Sequence, residues 1–116
     1  MPENSDGLPR RFLPGFLLLS LERDGTSYGY ELYETVRSLG LSVDLAAVYR
    51  ALRTMQQREL VTSEWVASLA GPDRRLYSLT DTGRRGARAA ATELAAVRDG
   101  LVDALEYFRA PDISRT

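Results

Sequence analysis

The chain has 116 residues, 44% of them hydrophobic and 27% charged, with a formal net charge of −1. That length suits one domain around one core, and the composition excludes an intrinsically disordered chain and a broadly basic one. There is no cysteine and no histidine, which excludes disulfides, Cys/His zinc sites and Ser-His or Cys-His catalytic pairs, and with them most enzyme classes.

Residues 1–11 are rich in Pro, Gly, Ser, Asn and Asp without apolar periodicity and read as a flexible tail. Arg10 and Arg11 close it, as a solvated helix start or, alternatively, as phosphate contacts. The apolar run from Phe12 is broken by Pro14 and Gly15 and ends at Glu22-Arg23-Asp24, too short to span a bilayer, while Glu3 and Asp6 argue against a signal peptide. A cytoplasmic location without a membrane partner is expected. The first helix is predicted over residues 14–22, with Pro14 near its start, where a missing N–H is tolerated. It is apolar nearly all round, which predicts burial by its own domain and by a partner subunit. Asp24-Gly25 marks a turn, and Thr26 or Ser27 is expected to cap a second helix over residues 28–39 that stops at Gly40.

The third helix follows Asp44, its expected N-cap. Leu45, Val48, Leu52 and Met55 recur at spacings of three and four and form a core-facing stripe. Tyr49, Arg50, Arg53, Thr54 and Gln57 fall on the other side, with the side-chain types that reach phosphates and base edges in a major groove. The same pattern also describes an ordinary amphipathic helix with a solvated basic face. Residues 60–66 and 74–79 then alternate around an Ala70-Gly71-Pro72-Asp73 turn, predicting a β-hairpin whose inward set includes Tyr77 and Leu79. Arg74 and Arg75 flank the hairpin loop and suit phosphate contact or plain solvation equally. Trp65 reads as a packing residue rather than a ligand contact.

After Thr80, a capping residue, a long helix is predicted over residues 82–108. Ala87, Leu94, Leu101 and Phe108 are seven apart, and Ala90, Val97 and Ala104 fall three residues after the first three. This is a heptad seam, widened by Val102 and Leu105. So small a domain leaves little to cover such a stripe, so a second copy is the expected cover, with small residues at 87, 90 and 104 permitting close approach and Gly100 a bend; folding back on its own core is the alternative. The divisions are a tail (1–11), a helix-turn-helix region with a wing (12–80), a C-terminal helix in the same compact domain (81–109) and a frayed tail (110–116). The fold class is mainly α with a small β-hairpin, a winged helix-turn-helix plus a long C-terminal dimerisation helix.

Tyr28-Gly29-Tyr30-Glu31-Leu32, Val48-Tyr49-Arg50-Ala51-Leu52, Leu60-Val61 with Glu64-Trp65, and Gly71-Pro72 with Arg74 to Thr80 and Gly83 together resemble the PadR family of bacterial transcriptional regulators. The single C-terminal helix is similar to that of the smaller of the family's subgroups. The resemblance implies a homodimer that binds double-stranded DNA at inverted-repeat operators, commonly as a repressor relieved by a small-molecule effector, with no cofactor or metal. Carried over residue by residue, it implies DNA contacts at Tyr30, Tyr49, Arg50, Arg53, Arg74 and Arg75, with the Tyr49 hydroxyl on a phosphate. Phe12, Phe16, Leu94, Val97, Leu101, Leu105 and Phe108 are the expected dimer interface and the candidate lining of any cavity between subunits. Ala46 and Ala47 depart from the family's small hydroxyl residues before the tyrosine, which removes hydroxyl donors at that helix start. The other reading, from a different class, is a winged-helix module for protein contacts without specific DNA binding.

Overall fold

A computed structural model describes residues 7–110. The tails expected at 1–6 and 111–116, Pro111 as a helix stop included, lie outside the described residues. A 3-10 turn, Arg10–Phe12, leads into α1 (Leu13–Asp24); then come β1 (Thr26–Tyr28), α2 (Gly29–Ser38), α3 (Leu45–Gln57), β2 (Val61–Val66), β3 (Arg74–Leu79) and α4 (Asp81–Arg109). None of these helices is long and apolar enough to cross a membrane.

The core forms where the apolar stripes meet. Leu13, Leu17, Leu18 and Leu21 of α1 pack with Leu32 and Val36 of α2, Val48, Leu52 and Met55 of α3, and Val61 and Tyr77 of the sheet. Ala87 of α4 joins them fully buried. Residues 7–11, expected to be part of a flexible tail, are tied down instead: Leu8 pairs with Leu41 as a parallel bridge, its N–H donating to the Gly40 carbonyl at 2.7 Å.

Each helix end has a local cause. The Asp44 carboxylate accepts from the Ala47 N–H at 2.8 Å and caps α3 as expected. α2 ends with Leu41 N–H donating to the Val36 carbonyl while Gly40 takes a φ of 105°, a turn that glycine adopts without strain. The expected cap of α2 differs. Thr26 and Ser27 belong to β1, a third strand not expected from the sequence, and Tyr28 precedes the helix, its N–H donating to the Glu31 carboxylate at 3.4 Å.

The sheet has the order β1-β3-β2, all antiparallel. Its register pairs Val61 with Leu79, Ser63 with Tyr77 and Trp65 with Arg75, so these six share one face. The inner end of that face closes the core with Val61 and Tyr77 buried and Leu79 half-buried against them, which bears out the predicted inward pair Tyr77 and Leu79, and its outer end continues onto the wing as Trp65 and Arg75. Ser63 Oγ donates to the Gln56 side-chain carbonyl at 3.1 Å, fixing the wing base to the last turn of α3.

α4 divides into two halves. The first lies against α1, where a Cβ on Gly15 would come within 3.1 Å of Ala90 Cβ and one on Gly86 within 3.3 Å of a Leu18 methyl. The small residues at 87 and 90, expected to admit a partner helix, admit α1 of the same chain. Beyond Val97 the helix leaves its own domain, and every residue from 98 to 110 is exposed. The first half thus folds back on its own core, as the alternative reading had it, and the second half is left uncovered by the described residues.

Candidate nucleic-acid interface

α3 shows its polar face to solvent: Val48, Leu52 and Met55 are buried, whereas Tyr49, Arg50, Arg53, Thr54 and Gln57 are exposed. The Tyr49 ring lies across the start of α2. A Cβ added at Gly29 would come within 2.4 Å of the ring and 3.0 Å of the hydroxyl oxygen, so only glycine lets the tyrosine rest there. The Tyr49 hydroxyl therefore sits at the N-terminal end of α2, where the helix dipole favours an anion and the Glu31 carboxylate already accepts from the Tyr28 N–H.

This contact opens into a cleft of about 350 Å³ between the start of α2, α3 and the wing. Its walls include Tyr30, Tyr49, Arg53, Arg74 and Arg75, five of the six residues expected to meet DNA. Arg50 does not line it and projects from the exposed face of α3. Tyr28, Gly29, Trp65, Asp73 and Tyr77 complete the lining; most of them stand in the family-like motifs, but their spacing alone did not point to this surface. Trp65, expected to be a packing residue, is 65% exposed. Its strand register carries it beyond the core, which ends at Ser63 and Tyr77, and no described element lies over it to bury it.

Each wing arginine lies over an aromatic ring. The Arg74 guanidinium lies 3.7 Å from the centre of the Tyr28 ring, and that of Arg75 lies 5.0 Å from the Trp65 ring. Chemically the cleft offers forked cations, a phenol hydroxyl and helix-start amides, a set that binds phosphate oxygens, with Asp73 as an opposing charge. Among the described residues no group of His, Cys, Asp or Glu could hold a metal ion. The Asp24 carboxyl is held below its ordinary range by the hydrogen bond from Arg23, an exposed pair at the end of α1 that is not among the residues lining the cleft.

The residues expected at a dimer interface separate by burial. Phe12 is a correction: at 9% exposure it belongs to the chain's own core, stacked against Phe16 with ring centres 6.4 Å apart. Phe16, Leu94 and Val97 are half-buried and pack against that core. Phe16 and Leu94, with Leu19 and Leu39, line an apolar groove of about 270 Å³. Leu101, Leu105 and Phe108 are 60%, 53% and 79% exposed on the projecting half of α4.

A helical core followed by a two-stranded wing, with a polar recognition face next to the wing, defines a winged helix-turn-helix protein. Residues 17–89 match the transcriptional regulator PadR-like family, and the chain belongs to it. It is 34% identical over 106 residues to a probable transcriptional regulator of Mycobacterium tuberculosis, Rv1176c, covering 88% of this chain and 56% of that protein. The chain thus spans a little over half the length of this relative. A PadR-like transcriptional regulator from Bacillus cereus has a crystal structure similar to it at a TM-score of 0.73 and 26% identity, covering 84% of this chain and 94% of that one. Bacillus subtilis PadR, solved in complex with operator DNA, shares the fold at a TM-score of 0.59 and 21% identity, covering 70% of this chain and 47% of that one.

Proposed function

We propose that this PadR-family regulator is a cytoplasmic homodimer that represses transcription by reading an inverted-repeat operator, with α3 in the major groove and the wing along the backbone. The observation that carries the reading is the convergence of Tyr30, Tyr49, Arg53, Arg74 and Arg75 on one cleft at the start of α2. A backbone phosphate fits there, between the Tyr49 hydroxyl, the start of α2 and the wing arginines Arg74 and Arg75. Arg50 and Arg53 then face base edges, and loss of one bidentate base contact costs about 1–3 kcal/mol. Support for DNA as the partner also comes from the B. subtilis relative solved with its operator. With a net charge of −1, binding rests on these placed arginines rather than on a broad basic field.

The test is selection of bound fragments from a random duplex library at fixed salt, with the parent chain and a Tyr49→Ala/Arg53→Ala variant. The parent is expected to enrich an inverted repeat and the variant to lose it while remaining folded. No enrichment by folded, dimeric parent would shift the reading to a winged-helix module for protein contacts, or to a regulator that needs an effector to bind.

A further inference from the structure

Trp65 poses a problem of cost. Its ring is 65% exposed on the wing, and a large apolar surface left in water is unfavourable unless something uses it. No residue of the core packs over it, since the core on that face ends at Ser63 and Tyr77. What the ring does touch is the guanidinium of its direct cross-strand partner, Arg75, at 5.0 Å. The neighbouring arginine repeats the arrangement on the other face of β3, where Arg74 sits 3.7 Å from the Tyr28 ring. Successive strand residues point to opposite faces, so two separate aromatic side chains are used to hold two adjacent arginines.

An arginine in solution samples many rotamers, and a phosphate that captures it must freeze them. A ring that holds the guanidinium by its flat face removes part of that freedom beforehand and leaves the in-plane N–H donors available. Among the described residues neither Arg74 nor Arg75 makes an ion pair. We infer that Trp65 is a positioning residue for DNA binding: it preorders Arg75 for a phosphate at the wing without being a DNA contact itself, as Tyr28 does for Arg74. This rests on the DNA-binding reading above. It also accounts for how a chain with net charge −1 grips a polyanion, since few arginines suffice when each is ordered in advance.

The experiment uses the full chain and a labelled duplex of random sequence, titrated by fluorescence anisotropy at several salt concentrations. Trp65→Leu, Trp65→Phe, Arg75→Ala and the Trp65→Leu/Arg75→Ala double variant are compared with the parent, each checked for fold by circular dichroism. Trp65→Leu is expected to weaken binding about three- to tenfold. It should also lower the salt slope toward that of Arg75→Ala, by about 0.9 for each phosphate that is no longer neutralised. Trp65→Phe, which keeps a ring face, is expected to retain most of the affinity, and the double variant to bind no more weakly than Arg75→Ala alone. Parent-like binding by Trp65→Leu would overturn the inference and leave the DNA reading standing. So would a double variant weakened by the product of both single effects, because Trp65 would then act independently of Arg75. A parent that binds no duplex at low salt would remove the DNA reading and this inference with it.

Discussion

Two helices of this molecule end in the same way with different residues. After α2 the chain reverses through Gly40 at a φ of 105°; after α3 it reverses through Glu59 at a φ of 62°. In both, the next residue closes the turn: Leu41 N–H donates to the Val36 carbonyl at 3.0 Å, and Leu60 N–H to the Met55 carbonyl at 2.9 Å. Glutamate holds that conformation with a crowded Cβ, at a cost of about 1–2 kcal/mol in the left-handed region. Glycine there relieves the crowding and gives back part of the gain through a freer unfolded chain. Glu59→Gly is therefore expected to stabilise the fold by about 0.5–1 kcal/mol, read as a higher urea midpoint at unchanged slope. An unchanged or lower midpoint would mean that the Glu59 side chain supplies a compensating contact. The glutamate also shows why this reversal was not legible: Gly40 announces one in the sequence, whereas Glu59 does not.

At the scale of elements, the long patterns were legible and the short junctions were not. α3, of thirteen residues, shows a core stripe and an acidic cap, and α4, of twenty-nine, a seam from Ala87 to Phe108, so periodicity alone located both. β1 has three residues, too few for alternation to register, and Ser27 is buried in it only because β3 is brought alongside by the long-range fold. The cleft was legible residue by residue, as tyrosines and arginines at motif spacing, but the exposure of Trp65 was not, because strand register rather than composition decides whether a wing residue reaches the core. The join between wing and α4 is likewise tertiary. Thr80 Oγ1 donates to the Glu59 carbonyl at 2.6 Å and accepts from Gly83 N–H at 2.9 Å, which draws the first turn of α4 onto the end of α3. A Cβ on Gly83 would lie 1.9 Å from the Leu60 carbonyl oxygen, an impossible approach to backbone. Gly83→Ala must therefore push α4 away and loosen the Ala87 and Ala90 packing on α1. Overpacking of this kind costs about 1–3 kcal/mol; thermal unfolding is expected to show that destabilisation, and a parent-like midpoint would mean that the join yields without disturbing α1.

The whole molecule is longer than its core requires. Its radius of gyration is 18.1 Å and its longest dimension 71 Å, against about 13 Å for the radius of a compact domain of 100 residues. The excess comes from the projecting half of α4, whose Leu101, Leu105 and Phe108 lie on one side of the helix with no described part of their own chain over them. A lone helix with an uncovered apolar stripe is a poor monomer, and a second copy related by a two-fold axis offers the same stripe in return. Under the proposed function, two linked reading heads would bind an inverted repeat with an affinity that one head cannot reach, a gain of about 10²–10⁴ from effective concentration alone. Leu101→Asp places a charge in the middle of that stripe, far from the cleft and outside the core. It is expected to give a folded monomer by sedimentation equilibrium, with operator affinity lower by about a hundredfold or more and a salt slope near half that of the parent. A dimer with parent-like affinity would move the seam away from Leu101. A monomer that still binds the operator tightly would separate assembly from recognition, leaving one cleft and one α3 to account for the whole of the affinity.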